Sequence, residues 1–152
     1  FVDPDNDESY PSVGTEFITD NPGLQSLYDK VTELGVTESV VPAWLPEDFV
    51  LTELQDLPIS AGHKVHGKFE NGNAVILIVY RISDDIKTKV EKKDAAVEAF
   101  EYAEISHFIV DNKGNLSVTW SVDGVECFVT TDIQKDDVYK VIKSIYRSEL
   151  LS

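Results

Sequence analysis

The chain has no methionine, one cysteine, and only 13 Lys and Arg against 28 Asp and Glu. Each shortage excludes something. Without a methionine, Phe1 is not expected to be the native start. The expectation is that a signal peptide, a membrane anchor or another domain lies upstream. A single cysteine, Cys127, excludes an internal disulfide framework. The deficit of basic residues leaves a net charge of -15. Such a surface repels phosphate backbones, so no nucleic-acid partner is expected. It also repels anionic lipid headgroups. No apolar run approaches the roughly 18 residues of a membrane helix. The longest, Ala74 to Tyr80, has the length of a strand.

What is there suits one domain of ordinary size, 152 residues long. A chain of this length buries roughly 70% of its unfolded surface, enough for a single core. Residues 1–20 hold Asp3, Asp5, Asp7, Glu8, Glu16 and Asp20, no basic residue, and the breakers Pro4, Pro11 and Gly14. They read as an acidic linker or arm, pinned by Phe17 and Ile18, ahead of one domain over 21–152.

The domain opens on a helix. Asn21 caps it and Pro22 takes its first position, where a missing N–H costs nothing. Leu24, Leu27, Tyr28, Val31 and Leu34 recur at steps of three and four and share a face. Gly35 supplies the left-handed residue after it. Residues 40–49, VVPAWLPEDF, are extended, because each proline disfavours helix in the residue before it. The Asn71-Gly72 pair predicts a type I′ hairpin turn that sets Phe69 opposite Ala74, Gly67 opposite Ile76, Val65 opposite Ile78 and His63 opposite Tyr80. Residues 83–96 predict an exposed strand with flanking loops, followed by strands near 97–103 and 105–111. A hairpin turn at 111–114 (DNKG) places Gly114 in the left-handed position. A second helix near 134–149 carries Val138, Val141, Ile142 and Ile145 on its inner stripe. Asp136 and Asp137 in its first turn, and Lys140, Lys143 and Arg147 beyond, complement its dipole.

The stretch from 118 to 129, VTWSVDGVECFV, alternates apolar and polar residues on both sides of Asp123-Gly124. Pairing outward sets Val122 against Val125, Trp120 against Cys127, Val118 against Val129 and Leu116 against Thr131. Ser117, Thr119 and Ser121 fall on the other side, and a one-residue slip would destroy this agreement. Cys127 is thereby read as a small buried hydrophobe beside Trp120, without an activating base or a metal partner.

Chemistry-bearing motifs are few. His63 and His66 are three apart on a strand and point to opposite faces, so they do not chelate one ion. His107 stands alone on a strand and reads as a surface or edge residue. Asp84-Asp85, Asp136-Asp137 and the aspartates of 3–7 (DPDND) lack the spacing of a calcium loop. No G-x-S-x-G, G-x-x-x-x-G-K-[ST] or G-x-G-x-x-G occurs. No catalytic residue, metal or cofactor is therefore expected. Lys87, Lys89, Lys92 and Lys93 read either as a charge-protected strand or as a contact for an acidic partner. Trp44, within PAWLPEDF, either plugs the end of the core or rims a ligand groove, and is the one candidate binding residue.

The order of these segments resembles a domain of unknown function. That domain forms the extracytoplasmic C-terminal part of Gram-positive, clostridial-type membrane proteins of anti-sigma-factor-like or lipoprotein-like kind. The likeness rests on Pro42, Leu45, Pro46 and Phe49 in the lead-in and on Tyr80 at the end of the long strand. It also rests on Trp120 with Asp123-Gly124, and on Ser144-Ile145 in the last helix. It covers about residues 24–146. Where the family has a Gly-containing turn between two middle strands, this chain has Ala103-Glu104. The resemblance implies an envelope-facing sensory or interaction domain tethered to the membrane through an upstream segment, with a protein partner or envelope signal. It brings no catalytic residues.

Together these readings predict an α+β fold: an antiparallel meander of about seven or eight strands, packed on one face by an N-terminal and a C-terminal helix. The expected function is that of a noncatalytic extracytoplasmic sensor or interaction domain. The alternative is a carrier that holds an apolar ligand or peptide between sheet and helix.

Overall fold

The structure, a computed structural model, describes residues 17–86 and 98–146. Two helices, α1 (Pro22–Glu33) and α2 (Lys135–Ser144), flank seven strands. The strands are β1 (Val50–Ile59), β2 (Gly62–Asn71), β3 (Ala74–Ser83), β4 (Glu98–Tyr102), β5 (Ile105–Asn112), β6 (Asn115–Val122) and β7 (Val125–Thr131). They form one antiparallel sheet in the order β1-β2-β3-β7-β6-β5-β4. The expected α+β architecture is thus present. Within it the chain builds two meanders, β1 to β3 and β4 to β7. The chain leaves the middle of the sheet after β3 and re-enters at the far edge with β4, and β7 then closes against β3.

The pairing of β6 with β7 is the one the alternation predicts, from Val122 against Val125 to Leu116 against Thr131. All eight of these side chains are buried. An Asp-Gly pair is a type I′ signal, but here Gly124 has φ +91° while Asp123 stays in the ordinary region, so the turn is not of type I′. The β2–β3 hairpin is corrected more. Its central residues are Gly72-Asn73, since Asn71 pairs with Ala74, and Phe69 lies opposite Ile76, Gly67 opposite Ile78, Val65 opposite Tyr80 and His63 opposite Ile82. Glycine leads this turn, with φ +57° at Gly72, as type II′ geometry requires. Moving the turn by one residue moves each pairing by two. The period of the strand is also two, so every side chain keeps its face.

Both helices pack on the same face. Leu24, Leu27 and Val31 of α1 are fully or almost fully buried. Gly67 gives Leu27 its seat, because a Cβ there would stand 3.3 Å from the leucine side chain. Asn21 caps α1 by accepting from the amides of Gly23 and Leu24, and Gly35 takes φ +96° past its end. In α2, Val138, Val141, Ile142 and Ile145 are buried as their spacing predicts, joined by Tyr146. The helix ends at Ser144, short of the expected 149, and residues 147–152, with Arg147, lie outside the described residues.

Residues 1–16, and with them most of the acidic arm and the aspartates of 3–7, also lie outside. Phe17 stacks on Tyr28 with ring centroids 4.3 Å apart, and the Thr19 hydroxyl donates to the Ala43 carbonyl. Ile18, 66% exposed, does not share in this anchoring. The strand expected within 83–96 is not placed: β3 runs on to Ser83, Ile86 is buried behind it, and 87–97, with all four lysines, lie outside the described residues.

Candidate functional site

Segment 40–49 is neither helix nor strand, as its prolines dictate, and it is firmly held. The Tyr80 hydroxyl donates to the Val40 carbonyl at 2.5 Å. The amides of Ala43 and Trp44 donate to Ser144 Oγ at 3.0 and 3.2 Å, and Ser144 Oγ donates in turn to the Val141 carbonyl. One serine at the end of α2 therefore satisfies backbone donors a hundred residues away in sequence. Trp44, the candidate binding residue, is half-buried against the core, with Lys140 Nζ 5.9 Å from its ring centroid. That geometry suits a cation resting on an aromatic face.

Beneath α2 lies a buried aromatic cage. His107 is 0% exposed, which overturns its reading as a surface or edge residue. Its ring stacks on Phe100 at 4.9 Å and tilts against Trp120 at 5.3 Å. Nε2 shares a 2.8 Å hydrogen bond with the Tyr146 hydroxyl. Tyr139 meets the edge of Phe100, and Tyr102 leans on Tyr146 with Lys143 over its ring. Burial lowers the His107 pKa from 6.5 to about 4, against the carbonyls of Phe100 and Ile105, which favour the charged form. In the structure Nδ1 has no hydrogen-bond partner, and Trp120 Nε1 is likewise unpaired. At neutral pH the imidazole is uncharged. Nearby, burial pushes the Tyr80 hydroxyl and the Cys127 thiol well above their ordinary pKa values. Cys127 is fully buried and uncharged, as its place opposite Trp120 implies.

His63 and His66 do point to opposite faces. His63 lies on the helix side and shares a 3.0 Å contact with Asp56. His66 lies on the other side, across from Val79. Among the described residues no three or more His, Cys, Asp or Glu gather as metal ligands. No helix among them is long and apolar enough to cross a membrane.

The two edges of the sheet differ. On one side β4 is five residues long, and Glu98 at its start is bridged to Lys135 of α2. On the other, β1 runs ten residues and none of them is buried. Among the described residues its backbone pairs with β2 alone, so its outer row of amides and carbonyls is open. Along the face turned away from the helices it shows Val50, Glu53, Gln55 and Leu57, whose β2 partners are Glu70, Lys68, His66 and Lys64. Val50 is 61% and Leu57 44% exposed, although both are apolar. Protective features sit near the ends: a bulge at Thr52 and a proline at 58. Between them the strand is regular. Sequence alone did not single out this edge. Residues 50–59 carry no pattern of their own that marks them out, and edge position follows from the chain's return at the far side.

No curated protein and no solved structure matches the chain. One family model does, over residues 39–145, and the match has a structural counterpart. It begins just before the docked segment that Tyr80 and Ser144 hold, spans all seven strands, and ends one residue after Ser144. The chain belongs to the family described as domain of unknown function, DUF4367.

Proposed function

We propose that this domain is a noncatalytic protein-interaction module on the outer side of a cell membrane. It would form the extracytoplasmic part of a membrane-anchored regulator of anti-sigma-factor-like or lipoprotein-like kind. One observation carries the interaction reading: the long, open edge of β1 with its exposed Val50 and Leu57. An unpaired strand edge is a template for an incoming strand, and natural proteins usually shorten, charge or cover it. Here β4 is short and bridged, while the regular part of β1 is left open.

The carrier alternative requires room between sheet and helices. That layer is filled by the protein's own side chains, among them Trp120, Tyr80, Tyr146, Phe69, Leu24 and Leu27, each at most 1% exposed. His107, whose pKa burial lowers, is sealed inside the same layer and does not face solvent.

The test places a photo-cross-linking residue at Gln55 on the edge, and in a second variant at Ser117 on the open face of β6, within the full-length protein in its own cells. Expected is one discrete adduct from position 55 and none from 117, together with digestion of the domain by protease added to intact cells. Equal labelling from both positions would reject the edge as an interaction site. Protection from external protease would reject the location.

A further inference from the structure

We infer that β1 receives an extended segment of a partner protein as an eighth strand, and that this segment carries a basic residue beside Glu53 and apolar residues beside Val50 and Leu57. The inference rests on the interaction reading above and adds the chemistry of the partner.

The register supplies the argument. On the open face, Glu53 has Lys68 as its inner cross-strand neighbour. Lys68 is engaged elsewhere, with its ammonium 3.5 Å from Glu70 on its own strand. Glu53 is exposed and makes no ion pair among the described residues. Asp56, the other carboxylate of β1, points to the opposite face and is held by His63. A strand added outside β1 therefore meets one uncompensated carboxylate, flanked on the same face by two exposed apolar side chains. Opposite charges directly across a ladder attract, like charges repel, and apolar pairs add to both. Counted along β2, Val50 and Glu53 are two ladder positions apart, and Glu53 and Leu57 four. The incoming strand thus needs its apolar, basic and apolar side chains on one face at that spacing. The net charge of -15 favours approach of a cationic segment from a distance.

A second copy of this chain fits less well. Two chains of charge -15 repel. The β1 sequence, VLTELQDLPI, also holds no basic residue, so an antiparallel pairing of two β1 edges would offer Glu53 no cation.

The experiment uses the whole 152-residue chain and two short synthetic peptides. Each is a strand-forming sequence with valines at the positions facing Val50 and Leu57. One has lysine at the position facing Glu53, the other glutamate. Binding is followed by titration calorimetry, and its place by amide hydrogen exchange across β1. Expected is tighter binding of the lysine peptide by about 5-fold, with slowed exchange between Glu53 and Leu57. The Glu53→Lys variant, on an exposed position that leaves the core untouched, should reverse the preference. Equal affinity of the two peptides at β1, or a preference that Glu53→Lys leaves unchanged, would overturn the basic-partner inference and leave the edge reading standing. If neither peptide slows exchange anywhere in β1, the edge reading falls as well.

Discussion

His107 Nε2 lies 2.8 Å from the Tyr146 hydroxyl, and this pair joins β5 to the chain just past α2 inside a layer closed to solvent. Folding therefore takes an imidazole from water into a ring of aromatic side chains. Phe100, Trp120 and Tyr146 surround it, and none offers a carboxylate to a positive charge. The charged form loses more than the neutral form, and the pKa falls from 6.5 to about 4.

The consequence for stability has a definite sign. Above pH 6.5 the imidazole is neutral in both folded and unfolded chains, and the full stability is present. Between pH 6.5 and about 4 the unfolded chain binds a proton that the folded one does not. Stability falls as pH falls through this window and levels off below it, with a total loss of about 3 kcal/mol from this one group. Urea unfolding at pH 7 and at pH 4 should show a smaller difference for His107→Phe than for the native chain. An unchanged difference would mean that His107 is already protonated in the folded state.

A second prediction concerns backbone conformation. Tyr102 pairs with Ile105, so Ala103 and Glu104 alone make the turn between β4 and β5, with φ +54° and +67°. Side chains with a Cβ disfavour that region by roughly 1–2 kcal/mol per residue. Glu104→Gly should therefore stabilise the domain by about 0.5–1 kcal/mol, after allowing for the extra freedom of glycine in the unfolded chain. Gly124→Val should act oppositely. No atom lies within 4 Å of a Cβ built at Gly124, so its cost, about 1–2 kcal/mol, comes from φ +91° and not from a clash. Thermal melts of the two variants should move in opposite directions, and a fall in melting temperature for both would contradict a strained β4–β5 turn.

The third prediction tests the core of the β6–β7 hairpin. Trp120→Ala removes a buried aromatic from the layer against α2 and should cost about 3–5 kcal/mol. Cys127, opposite Trp120 and fully buried, should resist thiol reagents in the native state and react readily in denaturant. Native labelling at the rate of a free thiol would contradict this packing.

Legibility of the fold followed the clarity of alternation. In β6 and β7 one face is apolar and the other carries Ser117, Thr119, Ser121, Glu126 and Thr130, with Phe128 its one large apolar residue, so a single register satisfies the pattern. In β5, Ile105, His107 and Ile109 share the helix side while Phe108 and Val110 occupy the other. Both faces are apolar there, and parity alone does not tell which side takes the histidine. The β2–β3 turn failed for a different reason. Asn71-Gly72 and Gly72-Asn73 leave every side chain on the same face, so the hydrophobic pattern is blind to the choice and only turn geometry decides. The open edge of β1 was illegible because strand order is a property of the whole sheet. Nothing in residues 50–59 states that β4 returns on the far side.

The last prediction returns to Ser144, which links the docked segment to α2. Its hydroxyl accepts from the amides of Ala43 and Trp44 and donates to the Val141 carbonyl, all in a buried setting. Alanine would keep the helix, since it is the best helix former. It would leave two backbone donors with no acceptor, one of them on Ala43, which is 7% exposed. An unsatisfied buried donor costs about 1–3 kcal/mol, more than the hydrogen bond itself contributes when made. Ser144→Ala should therefore destabilise by about 1–3 kcal/mol, and the loss should centre on the docked segment. Trp44 reports on it: release of the segment moves the indole from its half-buried seat into water and shifts its emission to longer wavelength. Trp120 contributes a constant background that Trp44→Phe isolates. Ser144→Thr keeps the hydroxyl and should recover most of the stability, provided its added methyl group is accommodated. If Ser144→Ala melts with the native chain and leaves the emission unchanged, Ser144 does not hold the segment, and Tyr80, through its bond to Val40, is left to do so.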